Sequence, residues 1–122
     1  TPNLIHPSAV ISDSAKLHSG TVVMANAVVN PYAVIEANVI INTSAIIEHD
    51  CLIREACHIS PGAALAGGVT IGNKSWVGLG AKVIEGITIG NEVIIGAGSV
   101  VTTDFTDRVM VAGVPAIVKR QI

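Results

Sequence analysis

Apolar residues recur at every sixth position of this chain without a slip. They are Ile, Val or Leu throughout, namely Ile5, Ile11, Leu17, Val23, Val29, Ile35, Ile41, Ile47, Ile53, Ile59, Leu65, Ile71, Val77, Val83, Ile89, Ile95 and Val101. A period of six fits neither the 3.6-residue period of a helix nor the two-residue alternation of a plain strand. β-Branched residues separated by Gly, Asn and Pro favour short strands joined by tight turns. The pattern predicts a repeat protein in which short strands and corners alternate.

A second position in each hexad, four residues after the aliphatic one, is mostly occupied by a small residue. Examples are Ala27, Ala33, Ala45, Cys51 and Cys57. Two inward positions per hexad fit a β-helix with triangular coils of three hexads, or about 18 residues, stacked roughly 4.8 Å apart. We expect this β-helix over residues 1–105. The repeat fails after Val101, and residues 106–122 are expected to form a closing loop, a short strand and a tail.

Composition limits the possible functions. The 122 residues correspond to one domain, and half of them are hydrophobic, with only Tyr32, Trp76 and Phe105 aromatic. A net charge of −2 offers no basic surface for nucleic acid or an anionic membrane. No apolar run approaches the roughly 20 residues of a membrane-spanning helix, and the first residues lack the layout of a signal peptide. We expect a soluble cytoplasmic domain that does not insert into membranes, and Thr1 suggests a fragment of a longer protein.

Residues 18 apart should lie above one another in successive coils. Gly67 then lies one coil above His49, with its backbone N–H unobstructed by a side chain. Trp76 lies above His58 in a second column. His49 and His58 are nine residues apart, half of one coil, so they should lie on opposite parts of the perimeter. A site that uses both histidines therefore needs two prisms side by side, and three-fold packing would form three such sites.

The repeat resembles the left-handed parallel β-helix of hexapeptide acyltransferases, which are homotrimers with active sites between subunits. The segments NTSAIIEHDC, residues 42–51, and CHISPGAALAGG, residues 57–68, are similar to the active-site segment of certain sugar acetyltransferases. These are the relatives of sialic acid O-acetyltransferase and of the N-acetyltransferases of bacillosamine biosynthesis. The resemblance implies an all-β fold of about six coils, acetyl-CoA as cosubstrate and no metal.

The same resemblance assigns roles to individual residues. His49 is the general base and the acidic Asp50 beside it raises its basicity. The amide of Gly67 holds the thioester oxyanion. His58 contacts acetyl-CoA. Histidine chemistry suits the first role, since an unperturbed pKa near 6.5 allows imidazole to take a proton at neutral pH.

Two further residues, Leu79 and Ala97, are implied to frame the pantetheine arm of acetyl-CoA through backbone contacts. Cys51 and Cys57 both fall on an inward position and are expected to be buried structural thiols. Trp76 points outward above His58, where it either lines the cleft or packs between subunits.

The implied reaction is acetyl transfer from acetyl-CoA to an amino group of a nucleotide-linked sugar, of the UDP-4-amino-4,6-dideoxy type, in bacterial glycan biosynthesis and protein glycosylation. Two alternatives remain open: O-acetylation of a sialic acid-type hydroxyl, and a non-catalytic trimerisation module of a larger enzyme. A γ-type carbonic anhydrase is disfavoured, because its paired zinc-binding histidines are five apart and no two histidines here have that spacing.

The chain departs from the resembled family at its N-terminus, where those enzymes carry a small α/β domain that binds the nucleotide. Nothing precedes Asn3 that could form one. Either that domain was removed or the prism was fused to another enzyme of the pathway, including a membrane-bound one. No residue of the chain decides between an amine and a hydroxyl acceptor.

Overall fold

The computed structural model describes all 122 residues and consists of 19 strands joined by turns. The first 17 strands have two residues each, and the last two are longer: β1 Leu4–Ile5, β2 Val10–Ile11, β3 Lys16–Leu17, β4 Val22–Val23, β5 Val28–Val29, β6 Val34–Ile35, β7 Ile40–Ile41, β8 Ile46–Ile47, β9 Leu52–Ile53, β10 His58–Ile59, β11 Ala64–Leu65, β12 Thr70–Ile71, β13 Trp76–Val77, β14 Lys82–Val83, β15 Thr88–Ile89, β16 Ile94–Ile95, β17 Val100–Val101, β18 Val109–Gly113 and β19 Ala116–Gln121. None of its segments is a helix long and apolar enough to cross a membrane.

The strands form three sheets that are the faces of a triangular prism. Face A contains β1, β4, β7, β10, β13, β16, β18 and β19, face B contains β2, β5, β8, β11, β14 and β17, and face C contains β3, β6, β9, β12 and β15. Each of the strands β1 to β14 pairs in parallel with the strand three places further along the chain, so that Leu4 lies beside Val22 and Ala64 beside Lys82. Partners are therefore 18 residues apart. The architecture is the predicted left-handed parallel β-helix of about six coils.

The corners of the prism share one backbone feature. From residue 20 to residue 98, every sixth residue has a positive φ: Gly20, Asn26, Tyr32, Asn38, Ser44, Asp50, Ala56, Gly62, Gly68, Lys74, Gly80, Gly86, Glu92 and Gly98. This left-handed conformation costs a residue other than glycine about 1 kcal/mol, least for Asn and Asp. The sequence accommodates it with Gly, Asn or Asp at nine of these positions. One of them, Asp50, follows His49 at a corner between faces B and C.

The core consists of the two inward columns that the repeat predicts. Ile, Val and Leu of the aliphatic column are buried from Val23 to Val101, and the small column is buried from Thr21 to Ser99. The first coil has no coil beneath it, so Ile5 remains 49% exposed. Burial of each aliphatic side chain stabilises the prism by roughly 1.5–3 kcal/mol, and this core holds the corners in register.

The C-terminal end differs from the expected loop, short strand and tail. β18 continues face A in parallel beside β16, and a tight turn at Val114–Pro115 returns the chain as β19, which pairs antiparallel with β18. The expected tail is therefore a six-residue strand. Its Ala116 is buried, whereas Ile117 and Val118 are exposed, because β19 is the outermost strand of face A.

Candidate active site

His49 and Asp50 form a hydrogen-bonded pair at the corner between faces B and C. Nδ1 of His49 lies 3.0 Å from Oδ2 of Asp50. An ionised carboxylate only accepts hydrogen bonds, so in neutral His49 the proton is on Nδ1 and the lone pair is on Nε2. No other group of the chain forms a hydrogen bond with this ring, and the His49 side chain is 64% exposed. The pair therefore presents an unprotonated nitrogen at the surface.

Gly67 lies directly above His49, as the 18-residue spacing predicted. A Cβ atom placed on Gly67 would lie 2.5 Å from both Cε1 and Nε2 of His49, closer than such atoms approach in real structures. Only glycine leaves room for the imidazole in this position. The Gly67 carbonyl accepts a hydrogen bond from the amide of Gly86 at 3.0 Å, whereas its own N–H donates none within the chain. A free amide donor and the unprotonated nitrogen thus belong to neighbouring residues of one corner.

His58 begins β10 on face A and is fixed on two sides. Its ring stacks on that of Trp76 with centroids 4.9 Å apart, and its Nε2 lies 3.1 Å from Nδ2 of Asn42. Oδ1 of Asn42 accepts the N–H of Thr43, so its amide nitrogen faces His58 and donates to Nε2. The proton of neutral His58 is then on Nδ1. Desolvation lowers the pKa of His58, which favours this neutral form.

Two side chains of this second cluster were not identified from the sequence. Asn42 fixes the tautomer of His58, and Ser60 accepts a hydrogen bond from Nε1 of Trp76 at 2.8 Å. A spacing of 16 residues is the signal that could have found them, because Asn42 and Ser60 lie 16 residues before the side chains they contact. The 18-residue spacing links only residues at the same position of successive coils and therefore does not reveal these two contacts.

The two clusters occupy opposite sides of the prism. His49 is at the corner between faces B and C, and His58 is on face A, which is the face opposite that corner. The structure therefore does not bring the two histidines together within one chain. Neither of the two surface concavities of the single chain includes either histidine; the larger one includes Glu36 and Arg54 and the smaller one Leu4 and Met24.

Leu79 and Ala97 lie one coil apart at the corner between faces A and B. Both are exposed, and Leu79 reaches 58% exposure. Nζ of Lys82 donates hydrogen bonds to the carbonyls of Gly62 and Gly80 at this corner, at 2.9 and 3.1 Å. The corner adjoins the face that holds His58, so these residues belong to the His58 side of the prism.

The two cysteines are buried in the small column and unbridged, in agreement with the sequence analysis. Desolvation raises the pKa of the Cys51 thiol, and that of Cys57 to about 11, so both remain protonated at neutral pH. The chain has no group of three or more His, Cys, Asp or Glu side chains that could hold a metal ion.

Comparison with known proteins agrees with this architecture. Residues 68–103 match the family model described as bacterial transferase hexapeptide (six repeats). Over these residues the chain carries the hexapeptide repeat of that family. It is similar to perosamine N-acetyltransferase from Caulobacter crescentus, whose crystal structure holds CoA and GDP-perosamine: the identity is 49%, the TM-score 0.97, and the match covers 98% of this chain and 57% of that one. A search of curated proteins gives no significant match.

Two other solved structures show the same fold. The acetyltransferase domain of PglB from Neisseria gonorrhoeae, solved with acetyl-CoA, is 47% identical with a TM-score of 0.95, and the match covers 96% of this chain and 57% of that one. WeeI from Acinetobacter baumannii is 26% identical with a TM-score of 0.91, and the match covers 93% and 56%. This hexapeptide-repeat chain thus spans slightly more than half the length of these relatives.

Proposed function

We propose that this chain is an acetyl-CoA-dependent N-acetyltransferase domain that acetylates the amino group of a nucleotide-linked sugar in bacterial glycan biosynthesis. One observation carries the proposal: the His49–Asp50 pair lies against Gly67, whose amide is free, in a chain that is 47–49% identical to two acetyltransferases. The name of one relative, perosamine N-acetyltransferase, favours an amine over a sialic acid-type hydroxyl as acceptor. The names of both relatives likewise favour an enzyme over a non-catalytic trimerisation module.

The His49–Asp50 pair fits the role of a general base. The amine must lose a proton as its nitrogen attacks the thioester carbonyl, and the free Nε2 of His49 is the atom that accepts it. Asp50 holds the Nδ1 proton in place and stabilises the imidazolium that forms. The thiolate of CoA leaves when the tetrahedral intermediate collapses and takes up the proton that His49 accepted, so the products are the amide and CoA, and His49 is again neutral. No covalent enzyme intermediate is required.

The Gly67 amide fits the role of oxyanion donor. Negative charge develops on the thioester oxygen as the amine attacks, and a backbone N–H directed at that oxygen stabilises the transition state by about 3 kcal/mol. Gly67 satisfies the steric requirement as well, since its lack of a side chain leaves the region beside His49 open. The acceptor amine and the thioester would then meet between Nε2 of His49 and this N–H.

The donor acetyl-CoA is proposed to bind along the His58 side of a neighbouring prism. His58 offers an Nδ1–H donor on face A, and Leu79 and Ala97 line the adjoining corner, where exposed apolar surface suits the pantetheine arm. Because this side is opposite the His49 corner of the same chain, a complete site combines two chains. A homotrimer provides three equivalent sites of this kind.

The proposed location of the domain is the cytoplasm, where acetyl-CoA and nucleotide sugars are made. The resemblance implied a UDP-sugar as acceptor, whereas one relative was crystallised with GDP-perosamine, so the test includes both nucleotides. A role in protein glycosylation is a further part of the proposal.

The test is to incubate the chain with acetyl-CoA and a panel of UDP-, GDP- and CMP-linked amino and hydroxy sugars. Release of the CoA thiol and the mass of the product report transfer. We expect acetylation of a 4-amino sugar and its loss in His49→Ala. His18→Ala is the matched control, because His18 is an exposed histidine whose side chain makes no hydrogen bond, and it should retain full activity. Transfer that survives His49→Ala would contradict the proposal.

A further inference from the structure

The buried thiol of Cys51 forms a hydrogen bond next to the candidate site. Its Sγ donates a hydrogen bond to the carbonyl oxygen of Ala66 at 3.1 Å, and Cys51 is only 1% exposed. The Ala66 oxygen has no other hydrogen-bond partner in the chain. At many other corners the carbonyl at this position accepts a hydrogen bond from the N–H three residues later. The His6 carbonyl, for example, accepts the N–H of Ala9. The N–H of Val69 makes no such bond to the Ala66 carbonyl. The thiol of Cys51 takes the place of that turn hydrogen bond.

This contact determines the direction of the next amide. The peptide bond between Ala66 and Gly67 is trans, since the single cis bond of the chain precedes Pro115. In a trans peptide the C=O and the N–H point in opposite directions. With the Ala66 oxygen held toward the inward-facing Cys51, the N–H of Gly67 points away from the interior, toward the surface that carries His49.

The peptide needs such an anchor because its neighbourhood is conformationally permissive. Gly67 and Gly68 are consecutive glycines, and glycine occupies φ values that other residues avoid. The backbone beyond the peptide is fixed by hydrogen bonds from Gly68 N–H to the His49 carbonyl and from Gly86 N–H to the Gly67 carbonyl. Neither of these bonds involves the Ala66–Gly67 peptide, whose only side-chain anchor is Cys51.

We infer that Cys51 is a positioning residue of the candidate site: its buried thiol holds the Ala66 carbonyl inward and thereby directs the Gly67 N–H toward the reacting thioester. The inference rests on the proposed function, in which that N–H binds the oxyanion. The thiol takes no covalent part and remains protonated as a donor, because desolvation raises its pKa.

The chain contains its own control. Cys57 is equally buried in the next hexad, and its Sγ donates to the carbonyl of Gly72 at 2.9 Å, the same spacing of 15 residues. That bond lies at the corner between faces C and A, away from His49 and Gly67. Cys51→Ala and Cys57→Ala therefore both remove a buried thiol donor. The Gly72 carbonyl also accepts the N–H of Ser75 at 3.4 Å, and only Cys51 contacts the peptide that carries the proposed oxyanion donor.

The experiment compares kcat and KM of Cys51→Ala, Cys51→Ser and Cys57→Ala with the wild-type chain, at a temperature where thermal melting shows all four folded. Loss of an oxyanion donor lowers kcat by roughly 100- to 1,000-fold, so its misorientation in Cys51→Ala should lower kcat by about 10- to 100-fold. KM for acetyl-CoA should remain nearly constant, because the oxyanion forms only in the transition state. Cys51→Ser keeps a donor and should restore most of the activity, and Cys57→Ala should match wild type.

Equal kcat values for Cys51→Ala and Cys57→Ala would overturn the inference. Crystal structures of the two variants separate this outcome from failure of the proposed function. Even if the wild-type chain transferred no acetyl group, the Ala66–Gly67 peptide should rotate in Cys51→Ala and keep its orientation in Cys57→Ala. An unchanged peptide in Cys51→Ala would equally overturn the positioning role.

Discussion

Replacing Gly67 with alanine tests whether His49 must occupy its present position. The added Cβ would lie 2.5 Å from Cε1 and Nε2 of His49, whereas ordinary contact begins at 3.4 Å. The ring must therefore move by about 1 Å, because overlap on this scale is strongly repulsive. The Gly67 backbone itself is held by Gly86 and does not move as easily.

A displacement of this size is sufficient to reduce activity severely. Moving a catalytic group by about 1 Å costs on the order of 100-fold in rate, or roughly 2.7 kcal/mol of transition-state stabilisation. Stability should change little, because the His49 ring is largely exposed and can swing into solvent. We therefore expect Gly67→Ala to lose about 100-fold in kcat with a nearly unchanged melting temperature.

The assay is steady-state acetyl transfer followed by thiol release. Gly86→Ala is the matched control, since it lies at the same type of corner one coil higher and a Cβ there would meet nothing within 4 Å. Its positive φ gives alanine a backbone strain that Gly67, which has no positive φ, does not impose, so any loss of kcat in Gly86→Ala is an upper limit on the effect of an added methyl group without the steric clash. The steric reasoning is refuted if Gly67→Ala keeps kcat within about threefold of Gly86→Ala, a difference under about 0.7 kcal/mol.

Three further predictions concern single side chains. Asp50→Asn keeps a hydrogen-bonding group at a corner that tolerates Asn, so the melting temperature should stay constant. The variant loses the charge that stabilises the imidazolium of His49, so kcat should fall by about 10- to 100-fold. Trp76→Ala removes the ring stacked on His58 and should raise KM for acetyl-CoA, and Trp76→Phe, which keeps a stacking ring but not the bond to Ser60, should raise it less. Desolvation lowers the pKa of His58 below its ordinary 6.5. At pH values near and below 6.5, the unfolded chain therefore binds more protons than the folded one. Stability should therefore fall as the pH drops below 6.5, and denaturant titrations of His58→Gln should show a weaker fall than wild type.

The sequence was sufficient to predict the prism because the two inward columns repeat without interruption from Val23 to Val101. The same regularity placed Gly67 above His49 and Trp76 beside His58, since a constant coil of 18 residues converts sequence spacing into spatial contact. These predictions needed only the period of the repeat and the parallel pairing of strands.

The C-terminal strand β19 could not be predicted in this way. Its apolar residues follow neither period, and it forms by pairing antiparallel with β18 at the open edge of face A. Side-chain contacts such as Asn42 with His58 and Cys51 with Ala66 also escaped, because they depend on rotamers and join residues 15 or 16 apart rather than 18. The period fixes which backbones are neighbours, whereas side-chain direction depends on the corner geometry.

The central claim is that one active site combines His49 of one chain with the His58 side of another. Two impaired variants test it: His49→Ala, and the double variant His58→Ala with Ala97→Trp, which blocks the donor corner. Each variant alone, in the proposed homotrimer, should be strongly impaired. Mixed trimers are then prepared by refolding the two variants together in equal amounts, and acetyl transfer is measured.

In randomly mixed trimers, about one quarter of the interfaces join an intact His49 corner to an intact His58 side, so activity should recover to about 25% of wild type. If both histidines instead served a site within a single chain, no chain in the mixture would carry both intact, and mixing the variants would restore no activity. Activity that stays at the average of the two homotrimers would contradict the two-chain site.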